Sequence, residues 1–114
     1  MSRTAFKILD VRDWSAWRAT GSFAGSAVDL ADGYIHLSTE AQLAETARRH
    51  YAGRDDLVLV EVELDRAEGL RWEPSRGGEL FPHLYAPLTL KAVVGHRGLS
   101  VAADGAVTLG EAVA

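Results

Sequence analysis

The segment YIHLSTEAQLAETARRHYAG, residues 34 to 53, limits the fold more than any other part of the chain. Tyr34 to Leu37 alternates as a strand does, which sets Tyr34 and His36 on one face and Ile35 and Leu37 on the other. Thr39, with Gln42 one turn later, makes a capping box that opens a helix. That helix runs on Leu43, Ala44, Ala47 and Tyr51, places Arg48, Arg49 and His50 at the negative end of its dipole, and closes at Gly53. Leu57 to Leu64 then starts as an unbroken apolar run and becomes an alternation at Glu61 and Glu63. This is the pattern of a central strand that emerges into solvent at one end.

The flanking segments add simpler elements. Phe6 to Leu9 alternates enough for a short strand, and Asp10 caps a helix in which Val11, Trp14, Trp17 and Arg18 recur at helical spacing until Gly21. Trp14 and Trp17 read as packing rings on that helix. Residues 21 to 33, GSFAGSAVDLADG, are small and turn-forming without helical period, and are expected to form a loop across the surface. Asp65 to Gly69 reads as a turn, and Leu70 to Glu73 as a strand that Pro74 ends. A strand is expected near Leu90 to Val94, and Asp104-Gly105 turns SVAA onto AVTL in a hairpin. The sum is an α+β domain with a small mixed sheet of about five or six strands and two helices, both in the N-terminal half.

Composition narrows the class. A chain of 114 residues is expected to form one domain over residues 1–114, with about two-thirds of its unfolded surface buried. Without cysteine, disulfides, thiolate catalysis and cysteine-ligated metals are excluded. The start, MSRTAFKILDVRDW, lacks the apolar run of a signal peptide, and no stretch is long enough to span a membrane. A cytoplasmic location is the expectation. With a net charge of −4 and scattered basic residues, no general nucleic-acid surface is expected, although a local anion pocket is compatible.

Two groups of residues call for a chemical explanation. His36 stands just before a helix N-terminus whose free N–H groups favour a phosphate or carboxylate, and Ser38 and Thr39 sit beside it. The alternative is that Ser38 and Thr39 only cap the helix and His36 is a satisfied, half-buried histidine. The second group is RWEPSRGGELFPHLYAPL, Arg71 to Leu88, which holds all three prolines and the Gly77-Gly78 pair. It is expected to follow an irregular, rigid path that carries Trp72, Glu73, Arg76, Glu79, His83 and Tyr85. A guanidinium, two carboxylates, an imidazole and two amphipathic rings suit a planar, polar ligand; the alternative is a loop that covers a sheet edge. No phosphate-binding glycine loop, nucleophile elbow or HExxH motif occurs, so no metal site is assigned. His50 is expected to complement its helix dipole, and His96 to lie in a loop.

The combination of FKIL, GSAVDLADGYIHLSTEAQL and LRWEPSRGGELFPHLYAPL resembles the bacterial family known as domain of unknown function 952. The resemblance covers about residues 5 to 97 and leaves the hairpin segment 98–114 as an extension. It implies the small ADP-ribosyltransferase-like fold, in which split sheets flank a cleft for the nicotinamide end of NAD. Tyr34-Ile35-His36-Leu37-Ser38 is similar to the Val-His-Leu-Ser strand of NAD-dependent RNA 2′-phosphotransferases, which makes His36 the match for the ribose-orienting histidine, with Ser38 or Thr39 assisting. For the catalytic carboxylate the resemblance offers Glu79 first and Glu73 second. Two readings follow. One is a nucleotide-processing enzyme with catalytic His36, Glu79 and His83, with Tyr34, Trp72, Arg76 and Tyr85 binding substrate, and with NAD as candidate substrate rather than a resident cofactor. The other is a non-catalytic module for a small nucleotide-like or acidic metabolite.

Overall fold

The chain runs through β1 (Thr4–Asp10), α1 (Val11–Thr20), β2 (Ser22–Phe23), α2 (Ala27–Asp32), β3 (Ile35–His36), α3 (Glu40–Tyr51), β4 (Leu57–Glu63), β5 (Leu70–Pro74), β6 (Leu80–Leu84), β7 (Leu88–Thr89), β8 (Val93–Val101) and β9 (Val107–Leu109). The computed structural model describes residues 3–113, and at Arg76 the backbone alone. Three antiparallel sheets result, with strand orders β1-β4-β8-β9, β2-β7 and β3-β6-β5. A bridge between Phe6 and Ser38 ties the third sheet to the first.

The apolar run of β4 is unbroken because both of its faces are covered. Val58, Val60 and Val62 enter a core with Ala5, Leu9, Trp14, Trp17, Phe23, Ile35 and Leu84. Leu57 and Leu59 enter a second core with Ile8, Ala47, Leu99 and Val101 under α3. The Thr39 cap forms as expected: its hydroxyl accepts from the Gln42 amide at 3.2 Å, and Gln42 Oε1 accepts from the Thr39 amide at 3.0 Å. Gln42 Nε2 also donates to the Leu80 carbonyl at 2.8 Å, which fixes β6 against the start of α3.

The described residues hold three helices rather than two, and nine strands in three wholly antiparallel sheets rather than five or six in one mixed sheet; four local expectations need correction with them. Residues 21 to 33 are not a loop but hold β2 and α2. Helix α2 starts where the Asp29 carboxylate reaches back to the Ser26 amide at 2.9 Å and hydroxyl at 3.1 Å. It buries Asp29 and leaves Val28 and Leu30 exposed, so its apolar residues trace no buried stripe. Arg71 to Leu88 is not an irregular path: it holds the β5–β6 hairpin, closed by a 3-10 turn at Arg76–Gly78. Near Leu90 the chain makes a 3-10 turn and enters β8 at Val93. His96 lies in β8 opposite Val60, its ring 4.9 Å from that of Trp14, and not in a loop. The expected Asp104-Gly105 turn is present with Gly105 at φ +92°, and its hairpin continues the central sheet because β8 pairs with β4 and buries Leu99 and Val101.

Pro82 occupies the middle strand of the third sheet, where a missing N–H normally breaks a ladder. The Leu37 amide donates to its carbonyl at 3.1 Å, so its nitrogen faces the same neighbour. Pairing with β3 ends there, and the chain leaves for β1, where Phe6 and Ser38 exchange backbone bonds of 2.7 and 2.9 Å.

Candidate functional site

His36 and His83 are register partners on β3 and β6, so their side chains emerge on one face of the sheet. Their ring centroids are 5.5 Å apart. Tyr34, just before β3, lies 4.6 Å from His36, 4.1 Å from His83 and 5.3 Å from Tyr85, which follows β6. Four rings predicted from separate parts of the sequence therefore meet. His83 is buried beneath this group, whereas His36 is about one-third exposed.

Each imidazole is held by a carboxylate at Nδ1. For His36 it is Asp29, at 2.6 Å, and for His83 it is Glu73, at 2.9 Å. Asp29 is buried at the centre of a network: Lys7 Nζ lies 2.8 Å from Oδ2, and the His36 amide donates to Oδ1 at 3.1 Å. Lys7 also donates to the His36 carbonyl at 3.2 Å, so β1, α2 and β3 are joined through charged groups. Burial pushes the Asp29 carboxyl up, but the hydrogen bond from His36, the charge and hydrogen bond of Lys7 and the Ser26 amide outweigh it and hold it well below the usual carboxylate range. Burial pulls the Lys7 ammonium down against the attraction of Asp29.

Gly25 shows how tightly this network is packed. It adopts φ +126°, and a Cβ there would stand 2.7 Å from Asp29 Cβ, so any side chain would displace the buried carboxylate.

On the other side of the cluster, the Tyr85 hydroxyl donates to Glu73 Oε1 at 2.6 Å. That bond first, and the one from His83 second, lower the Glu73 carboxyl; the same Glu73 contact raises the Tyr85 hydroxyl. The Arg71 guanidinium lies 5.2 Å from the Tyr85 ring centroid. Burial, then Asp32 and Glu73, raise the Tyr34 hydroxyl. A pocket of about 170 Å³ opens beside these rings, between Tyr34, Ile35, Leu84, Tyr85 and Pro87, with Asp29 in its wall. A cavity of ~150 Å³ holds a benzene-sized ring, so this one suits a single aromatic ring.

The other sequence-predicted residues lie elsewhere. Ser38 is buried, its hydroxyl 2.9 Å from that of Thr46, and the Thr39 hydroxyl caps α3. Trp72 pairs with Pro82 and alternates to the sheet face opposite His83. Glu79 is exposed in the hairpin turn, beyond the last β5–β6 pair, Pro74–Leu80. It is four residues along the strand from His83, about 13 Å of extended chain. The Arg76 side chain lies outside the described residues. Lys7, Asp29, Asp32 and Arg71 were not anticipated. The signal for Lys7 was its place between Ala5 and Leu9 on the core-facing side of β1, and for Asp29 its spacing from Ser26. Among the described residues no group of three or more histidine and acidic side chains is placed to hold a metal ion, and no helix is long and apolar enough to cross a membrane.

No curated protein matches the chain. The crystal structure of protein CC0527 from Caulobacter crescentus is similar at 48% identity with a TM-score of 0.86, over 93% of this chain and 94% of that one. The solution NMR structure of CC0527 superposes with a TM-score of 0.78 at 47% identity, over 95% of this chain and 91% of that one. Residues 8–96 match the family described as protein of unknown function DUF952. The chain is a member of the DUF952 family.

Proposed function

We propose that the face formed by Tyr34, His36, His83 and Tyr85 binds a nucleotide-like small molecule in the manner of the ADP-ribosyltransferase-like fold that the sequence resembles. The observation that carries this reading is the cross-strand pairing of His36 with His83, each imidazole oriented by a carboxylate, beside two tyrosine rings. In this reading His36 orients the pyrophosphate or ribose, the tyrosines stack on a ring, and the neighbouring pocket receives that ring. His83, buried under Tyr34, supports the tyrosine and aims Glu73. A cytoplasmic location, where NAD and related nucleotides are at hand, belongs to the same proposal.

The enzymatic form of the reading gives the carboxylate role to Glu73 rather than Glu79. Glu73 is about one-third exposed and is aimed by two hydrogen bonds, which supports a role in which it holds a ribose 2′-hydroxyl and stabilises the oxocarbenium-like charge that grows as nicotinamide leaves. Hydrolysis of NAD by the wild type is expected to fall about 10²–10³-fold in Glu73→Gln and to persist in Glu79→Gln, with circular dichroism confirming that both variants fold. The position of Glu79 in the hairpin turn favours the second reading, a binding module without chemistry. A wild type that binds ADP-ribose but leaves NAD intact would select it.

A further inference from the structure

Three side chains line up across the third sheet. Arg71 of β5 is the register partner of His83 on β6, and His83 is the register partner of His36 on β3, so a guanidinium and two imidazoles stand in one row on one face. Arg71 is the exposed end of that row. A guanidinium keeps its charge in a folded protein and carries a fan of N–H donors. Among the described residues, those of Arg71 make no hydrogen bond and no ion pair; the group rests over the Tyr85 ring, with Cζ 5.2 Å from the centroid. At an exposed site that contact contributes little energy, but it steadies the cation and leaves its donors open.

The carboxylate that strand spacing offers to Arg71 is turned elsewhere. Glu73 lies two residues on, on the same face, yet its Oε1 accepts from the Tyr85 hydroxyl at 2.6 Å and lies 2.9 Å from His83 Nδ1. Arg71 acts on it only through space. The other carboxylates of this face lie against His36, with Asp29 Oδ1 2.6 Å from Nδ1 and Asp32 Oδ2 2.9 Å from Nε2. His36 is two strand spacings, roughly 10 Å, from Arg71. Tyr85 also connects the open cation to the pocket, whose wall it forms with Leu30, Tyr34 and Pro87. Leu30 and Tyr85 are both exposed, so the mouth of the pocket is apolar and a ring seated there lies one tyrosine away from the guanidinium.

We infer that Arg71 receives the anionic group of the ligand whose ring fills this pocket, through the paired N–H donors that match a phosphate or carboxylate. The ligand is then an aromatic compound that carries an oxyanion a short linker away from its ring, a nucleotide rather than a neutral nucleoside. The inference rests on the ligand site proposed above and divides the work within it: Arg71 takes the anion, and His36 is left with the ribose.

The test is calorimetric titration of ADP, and separately of adenosine, into wild type, Arg71→Gln and Arg71→Lys. NMR of the Arg71 Nε–H signal during titration with inorganic phosphate, and separately with acetate, runs beside it. Arg71 is exposed, so both variants should fold, which circular dichroism checks. ADP is expected to bind Arg71→Gln about tenfold more weakly than the wild type, the factor expected when one charged hydrogen-bond partner is removed. Arg71→Lys should be intermediate, because the charge remains and the planar fork is lost. Adenosine should bind all three proteins alike. At least one of the two anions should shift the Arg71 signal; a shift with one alone identifies the anionic group, and a shift with both identifies oxyanions generally. Equal binding of ADP by wild type and Arg71→Gln would overturn the inference and leave the ligand site standing. Equal weakening of ADP and adenosine would also overturn it, since the substitution would then act by disturbing Tyr85. If neither ADP nor adenosine bound the wild type, the nucleotide reading would fall, and the anion site would stand on the Arg71 shift or fall with its absence.

Discussion

Replacing Asp29 with alanine is expected to destabilise the protein by about 3–5 kcal/mol, the usual consequence of breaking a buried ion pair and leaving one charge uncompensated. Lys7 is 4% exposed and would keep an ammonium with no counter-charge, while Ser26 and His36 would lose their shared acceptor. Urea unfolding measures the loss directly. Adding Lys7→Met should recover much of it, because removal of both charges avoids the desolvation that removal of one exposes. The pH dependence has a definite sign. The Asp29 carboxyl is held below its unfolded value, so its contribution is fully present above the unfolded pKa of about 4 and is lost as the pH falls toward the folded value. The stability gap between wild type and Asp29→Ala should therefore be level at neutral pH and narrow below about pH 4.

The second large effect lies in the core. Trp17→Ala should cost about 3–5 kcal/mol in the same assay. Trp17 is 1% exposed, stacks on Phe23 at 5.1 Å and meets Trp14 edge-on at 5.2 Å. Its Nε1 is buried without a hydrogen-bond partner in the described structure, so part of what the ring gains by packing is offset. Trp17→Phe removes that orphaned donor and keeps most of the stacking surface. Its loss should be clearly smaller than that of the alanine variant, and an equal loss would show that Nε1 has a partner.

What the sequence made legible was local. The Thr39 cap, the apolar run of β4 and the Asp104-Gly105 turn each depend on residues a few positions apart, and each forms as read. Helix α2 escaped because its inward-facing residue is an aspartate, so hydrophobic period could not report it. The partner that explains this aspartate is Lys7, on a strand 22 residues earlier, where an alternating pattern reads equally well as a solvent-facing lysine. Distance along the chain also hid the choice between Glu73 and Glu79. Both lie in the same hairpin, and only the Arg71–His83 register places the first beside the imidazole and the second in the turn. Tyr34 and His36 were correctly placed on one face, because strand alternation decides that without reference to the rest of the fold.

The proposal that the His36 face binds a nucleotide-like ligand is tested most directly by thermal unfolding of wild type and His36→Ala with and without ADP-ribose. His36 is partly exposed, so the variant should fold. At a concentration ~100-fold above Kd, a ligand that binds only the native state adds about 2.7 kcal/mol, enough to raise Tm by several degrees. That rise is expected in the wild type, and its loss in His36→Ala. No rise in the wild type with millimolar ADP-ribose, NAD or ADP, or an equal rise in both proteins, would contradict it.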